Sequence, residues 1–141
     1  MTIHFQIITP EKVVLQDEVD EVIAPTTNGQ ISILPNHVSL LARVTNGELI
    51  TKKADKETLL AVTGGFLEVG NNKVTLLADY AVHSADINVA KAEEAKARAE
   101  KLMAEKTSEE DFVIANSELQ KALLELKVAT RRKQRPLPPG Q

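Results

Sequence analysis

From Asp86 to Gln134 the chain contains no glycine and no proline. Gly29, Gly47, Gly64, Gly65 and Gly70 all lie upstream of that stretch, as do Pro10, Pro25 and Pro35. Both residue types punctuate strands and turns and destabilise helix interiors. The chain therefore divides near Ala85 into a turn-rich half that reads as strands and a half free of helix breakers. The expected boundaries are a β domain over 1–85, a helical region over 86–135 and a Pro-rich tail over 136–141. A length of 141 residues fits a medium domain, or a small domain with an appendage.

The first half carries the alternation of strands. Ile3, Phe5 and Ile7 fall on one side of a strand from Thr2 to Ile8. A strand from Val19 to Ile23 is expected after an acidic turn. Ile31 and Ile33, then Leu40 and Leu41, flank a turn at Pro35-Asn36. An apolar run from Thr58 to Val62 is expected to stop at a tight turn made by Gly64-Gly65. Phe66 to Val69 and Lys73 to Leu77 are joined by Gly70-Asn71-Asn72, residues that tolerate the positive φ of a hairpin turn. Val74, Leu76 and Ala78 alternate with Thr75 and Leu77. Many short strands at close spacing predict an antiparallel β-sandwich or flattened barrel.

The second half predicts two helices. Asn88 caps the first, which runs to about Glu105 with Val89, Ala92, Ala95, Ala99, Leu102 and Met103 on one stripe. Thr107-Ser108-Glu109-Glu110 reads as a capping box, a hydroxyl with Glu three residues on. The second helix then places Phe112, Ala115, Leu119, Ala122, Leu123, Leu126 and Ala129 on one face. Ala-rich stripes allow two helices to approach closely as an antiparallel hairpin. Ala buries little area, so at about 25 cal/mol per Å² such a seam is weaker than one of Leu and can open. The fold class expected is α+β, a sandwich followed by a helical hairpin.

Charge is unevenly distributed. Residues 126–141 hold Lys127, Arg131, Arg132, Lys133 and Arg135 and no acid, whereas the remainder has 12 basic against 20 acidic residues. An acidic body thus carries a +5 arm, a pattern suited to an acidic surface and also to a solvated terminus. Nucleic acid is a poor partner for an acidic body with three Phe, one Tyr and no Trp, because single strands need stacking faces. The absence of Cys excludes disulfides and thiolate metal sites. No apolar run reaches the length of a membrane span, and MTIHFQIITP has no signal-peptide pattern. A soluble intracellular protein is expected, linked to membrane only through a partner.

Catalytic chemistry is not apparent. His4, His37 and His83 lack metal-spaced partners. His37 lies near Ser39, but no acid is close in sequence to orient it. No phosphate-cradling loop of the Walker type is present, and Gly64-Gly65 reads as a turn. Asp17, Glu18, Asp20 and Glu21 lack the Gly and terminal Glu of a calcium loop and read as a solvated edge strand. Glu93, Glu94, Lys96, Arg98, Glu100 and Lys101 read as ordinary helix-surface pairing. No catalytic residue, metal or cofactor is expected. A small enzyme using His37 or His83 is the weakest reading. A free-standing sandwich with a basic helix for nucleic acid is the alternative to a structural subunit.

Three segments together resemble the epsilon-subunit family of F-type ATP synthases. They are Gly29-Gln30-Ile31-Ser32-Ile33-Leu34-Pro35-Asn36-His37 with Leu40-Leu41-Ala42, then Gly64-Gly65-Phe66-Leu67-Glu68-Val69, then Asn72 to Asp79. Order and spacing are kept along essentially the whole chain. The resemblance implies a non-catalytic rotor subunit whose β domain touches the gamma subunit and the ring of c subunits. The ring-side segment is Asn28 to Leu41, with Gln30, Leu34, Pro35 and His37 as contacts. The family often has an acid at the Gln30 position, so an ionic contact is lost here. The hairpin is expected to fold back or to extend toward the alpha and beta subunits. There Lys127, Arg131, Arg132, Lys133 and Arg135 would grip carboxylates and restrain hydrolysis. Location at the cytoplasmic face of a bacterial plasma membrane, or the stromal side of a plastid thylakoid, follows from the same resemblance.

Two departures from the family pattern bear on regulation. Many bacterial members bind ATP through I/L-D-x-x-R-A, and the aligned stretch here is Ile87-Asn88-Val89-Ala90-Lys91-Ala92. Asn replaces the acid, and Lys91 lacks the planar fork of Arg. The usual upstream acid position is Val82, and the second-helix Arg positions read Lys121 and Glu125. ATP binding is therefore expected to be absent or weak. Family helices often stop near Arg132, and Pro136-Leu137-Pro138-Pro139 is an addition that cannot continue a helix.

Overall fold

The computed structural model describes residues 1–105 and 108–134, without the side chains of 132–134. The chain forms two compact units, Met1–His83 and a second that begins at Ser84.

The first unit holds eight strands: β1 (Ile3–Ile8), β2 (Val13–Val19), β3 (Glu21–Thr26), β4 (Gly29–Ile33), β5 (Leu40–Val44), β6 (Gly47–Lys53), β7 (Lys56–Gly70) and β8 (Lys73–His83). Hydrogen bonding runs β2-β1-β8-β7-β5-β3-β4, and β6 bridges β3 and β7. Every pairing is antiparallel except β1 with β8. Alternation does the sorting. Ile3, Phe5 and Ile7 of β1 and Val74 and Leu76 of β8 are fully buried, with Leu49, Leu60, Leu67 and Ile33 completing an aliphatic core. Full burial of such a side chain is worth about 1.5–3 kcal/mol.

Three strand expectations are corrected. Gly64-Gly65 does not stop a strand, because β7 runs through it for 15 residues. At that pair β7 changes neighbour, from β6 (Gly47↔Val62) to β5 (Val44↔Gly65), while β8 stays paired on the other side. The glycines bend the strand where it changes partner. Gly65 has φ +125°, and a Cβ there would sit 2.0 Å from the Leu77 carbonyl oxygen. Second, the acids do not form a turn before a strand at Val19. Asp17 and Glu18 lie within β2, an edge strand, and the chain breaks at Asp20 between β2 and β3. Third, β6 was not anticipated as a strand, and of β2 only the acidic end, Asp17 and Glu18, was read as an edge strand, which the structure bears out. The predicted hairpin at Gly70-Asn71-Asn72 is present, with Gly70 paired to Lys73 and φ of 51° and 59° at the two asparagines.

The second unit opens with a 3-10 turn, Ser84–Asp86, and continues as α1 (Val89–Ala104) and α2 (Glu109–Gln134). The two helices pack along their length, and α2 also contacts the 3-10 turn. Asn88 caps α1 as expected, its Oδ1 accepting the Lys91 N–H at 3.1 Å. The cap of α2 is Ser108, whose Oγ accepts the Asp111 N–H at 3.2 Å. Thr107, the expected capping hydroxyl, lies outside the described residues. A cap at Ser108 sets Glu109, Glu110 and Asp111 in the first turn, where the helix dipole favours acids. The seam is Ala92 and Ala99 against Ala115, Ala122 and Ala129, all buried. Val89, Leu102, Phe112 and Leu123, expected on the seam, are exposed, and Val128 is buried instead. Closely spaced Ala backbones leave no room for larger side chains at the edge of the stripe.

Candidate functional site

The candidate residues fall in four places. At one end of the sandwich, the loop 34–39 joins β4 to β5. It leaves Leu34 54% and Val38 76% exposed, beside Met1 at 83%. Pro35 and His37 are half-buried in this loop. The His37 ring Nδ1 donates to the Val38 carbonyl at 2.7 Å, so the ring is turned onto its own loop. Asn36 reverses the chain with φ 64°. Its N–H donates to Asn72 Oδ1 at 3.0 Å, and its Nδ2 donates to Met1 Sδ at 3.3 Å. Asn72 Nδ2 donates in turn to the Thr2 carbonyl at 2.6 Å. Thus Leu34, Pro35 and His37 come together with Met1 and Asn72. Gln30 does not join them. It is exposed at the start of β4, opposite Pro25, about 13 Å away along the strand. Gln30 and Leu34 share only the outward face of β4.

A second surface was not anticipated. Register aligns Ile8, Leu77, Phe66 and Arg43 across β1, β8, β7 and β5. Leu77 and Phe66 are each about half exposed. They line an open cleft of about 790 Å³ with Pro10, Asn46 and Asp79. For Leu77 the sequence signal was available, since it alternates with Val74, Leu76 and Ala78, which are buried; for Phe66 the pattern assigns no inward set on its strand.

The third place is the hairpin. Lys91 and Arg98 of α1 face Glu118, Lys121 and Glu125 of α2 across a groove of about 320 Å³ floored by Ala92, Ala95 and Ala122. Lys91 and Lys121 are therefore brought together, whereas Ile87 and Asn88 lie outside the groove lining and Asn88 is used as a cap. Arg98 was read as a surface residue. Its spacing of seven from Lys91 puts it two turns along the same stripe. Three cations share the groove with two carboxylates, and neither Lys121 nor Glu125 is a free charge. The fourth place is the basic arm. Lys127 and Arg131 are exposed on the last turns of α2. The side chains of Arg132 and Lys133, and all of Arg135 and the 136–141 tail, lie outside the described residues.

Elsewhere, His4 and Glu18 pair across β1 and β2 at 2.9 Å. Hydrogen bonds from His4 and Thr2 hold the Glu18 carboxyl below its ordinary value. Lys53, 3.0 Å away, does the same for Asp17. Among the described residues, no group of three or more His, Asp or Glu is placed to hold a metal.

Family comparison joins the two units. Residues 2–84 match the beta-sandwich domain of the ATP synthase delta/epsilon chain, and residues 85–130 match its long alpha-helix domain. The chain belongs to the ATP synthase delta/epsilon family. Its relatives in that family include the ATP synthase epsilon chain of Herpetosiphon aurantiacus, 42% identical over 96% of this chain and 99% of the relative. The epsilon chain of Chloroflexus aggregans is 41% identical over 92% and 93%. Solved structures with the same fold include a chain of the Euglena gracilis mitochondrial ATP synthase, with a TM-score of 0.65, 17% identity, and coverage of 94% of this chain and 79% of that one. A chain of the Tetrahymena thermophila central stalk and c-ring assembly gives 0.60 at 15% identity, over 92% and 97%. No helix among the described residues is long and apolar enough to cross a membrane.

Proposed function

We propose that this chain is a non-catalytic central-stalk subunit of a proton-translocating F-type ATP synthase. It couples the c ring to the catalytic head through the gamma subunit, and its hairpin restrains ATP hydrolysis. The observation that carries this reading is the uncovered apolar surface of the sandwich unit. Leu34, Val38, Leu41, Phe66 and Leu77 all lie exposed on a small unit whose core is already full. Clusters of exposed apolar groups on a well-packed domain mark contact with other proteins, and here there are two, at the tip loop and at the Phe66–Leu77 cleft. In this reading Leu34, Pro35 and His37 meet the c ring, with Gln30 making a polar contact further along β4. The Phe66–Leu77 cleft takes the gamma subunit, and membrane association comes only through the complex. A bacterial cytoplasmic face is the favoured location.

The hairpin is the regulatory part. Its seam is made of Ala, so opening it exposes little apolar area. An opened α2 carries Lys127, Arg131, Arg132, Lys133 and Arg135 toward acidic surface of the alpha and beta subunits. Bidentate Arg–carboxylate pairs then hold one rotor position. The test is ATP hydrolysis by the reconstituted catalytic complex, comparing the full chain with a chain ending at Ser84. Faster hydrolysis with the short chain supports the brake. Equal rates would reduce the role to rotor coupling through the sandwich.

A further inference from the structure

We infer that Asn72 is a positioning residue that fixes the apolar tip of the sandwich in shape for docking; this rests on the reading of that tip as a ring contact. Asn72 is the second residue of the β7–β8 turn, at φ 59°. Its side chain works from both ends. Oδ1 accepts the Asn36 N–H at 3.0 Å, and Nδ2 donates to the Thr2 carbonyl at 2.6 Å. Its own carbonyl accepts the His4 N–H at 3.2 Å. One residue therefore ties the 34–39 loop, the first residues of the chain and the hairpin turn together. Among the described residues, two side-chain-mediated hydrogen bonds leave the loop and both involve Asn36, one to Asn72 and one to Met1 Sδ.

The chemistry at this position is narrow. A left-handed turn residue is comfortable as Gly, Asn or Asp. Gly has no side chain, and ionised Asp accepts but cannot donate. Only the Asn amide fits the backbone and serves an N–H and a C=O at once. The three side chains it steadies are the exposed Leu34, Val38 and Met1. Apolar groups held in one arrangement before contact lose less freedom on docking than groups on a loose loop.

Asn72→Gly separates the clamp from the fold, because Asn-Gly is a preferred pair for this two-residue turn. Amide hydrogen exchange on the full chain is expected to show the Asn36 amide exchanging at least tenfold faster in Asn72→Gly. Cross-strand amides of β7 and β8 should stay protected. Asn72→Asp should keep Asn36 protected, since the acceptor remains. Unchanged Asn36 exchange in Asn72→Gly overturns the clamp. In the reconstituted, membrane-embedded complex, proton pumping per ATP hydrolysed should fall with Asn72→Gly and recover in part with Asn72→Asp. Leu34→Asp with Val38→Asp is the companion variant. If it lowers pumping and Asn72→Gly does not, the positioning role is wrong and the tip reading stands. If neither lowers pumping, the tip reading fails and the positioning role falls with it.

Discussion

Ala54 adopts φ 53° in the two-residue turn between Lys53 and Lys56. Among the described residues, the other non-glycine positions at positive φ are all Asn. Ala has no side-chain hydrogen bond to offset the clash of Cβ with its carbonyl, a cost of about 1–2 kcal/mol. Gly removes the clash and adds about 0.4–1 kcal/mol of unfolded-state entropy. Ala54→Gly should therefore stabilise the sandwich by roughly 0.5–1 kcal/mol net, read from a urea melt. The N–H of this residue donates to Asp20 Oδ2 at 2.7 Å, which holds the turn in place and should survive the change. Nearby, Asp17 and Glu18 set an acid limit. Lys53 depresses the first, and His4 with Thr2 the second. A carboxyl depressed in the folded state stabilises above its unfolded value, and that contribution fades as pH falls toward the folded one. Stability should decline below about pH 4.5, and Glu18→Gln should flatten the decline in a pH series of melts. At this scale the sequence was readable where the residue advertises its geometry. Asn71-Asn72 announces a left-handed turn, but Ala54 carries no such mark, and nothing local says which carbonyl Asn72 will reach.

Among elements, the helices were legible because period and punctuation agreed: Asn88 capped α1, and the Ala stripe became the seam. Strand β6 was hidden because it buries Leu49, Ile50 and Thr51 in a row, which erases alternation, whereas the acidic end of β2 was readable as an edge strand and its start was not. Strand β7 was cut in two because Gly normally weakens a strand. Here the pair is the bend at which one strand passes from pairing with β6 to pairing with β5, a tertiary demand with no local signature. The groove between α1 and α2 yields the element-level prediction. Its three cations are offset by Glu118 and Glu125. Titration calorimetry of the full chain should show ATP binding weaker than micromolar. Glu125→Arg combined with Lys91→Arg should tighten it at least tenfold, by removing a repulsive charge and supplying planar forks. A micromolar Kd in the native chain would show that Arg98, Lys91 and Lys121 suffice.

For the whole molecule, the core cluster lies entirely between Ile3 and Ala81. A chain ending at Ser84 should therefore unfold in one cooperative thermal transition by circular dichroism, and a fragment of residues 85–134, with its Ala seam, should be largely unfolded alone. That asymmetry suits a fixed body with an arm that changes state. Architecture was readable at this level because composition itself changes at residue 85, whereas the alignment of Ile8, Leu77, Phe66 and Arg43 across four strands depended on register that the sequence did not reveal. The continuity of β7 has a mechanical consequence. Its 15 residues run a contour of about 50 Å from the tip turn through the glycine bend without a break in the strand. Force applied at the tip is borne as tension in a covalent strand, with ladder bonds on both flanks loaded together in shear. Bonds loaded in shear share the force and resist better than bonds peeled one at a time, so a pull on the tip is passed into the body of the sandwich unit.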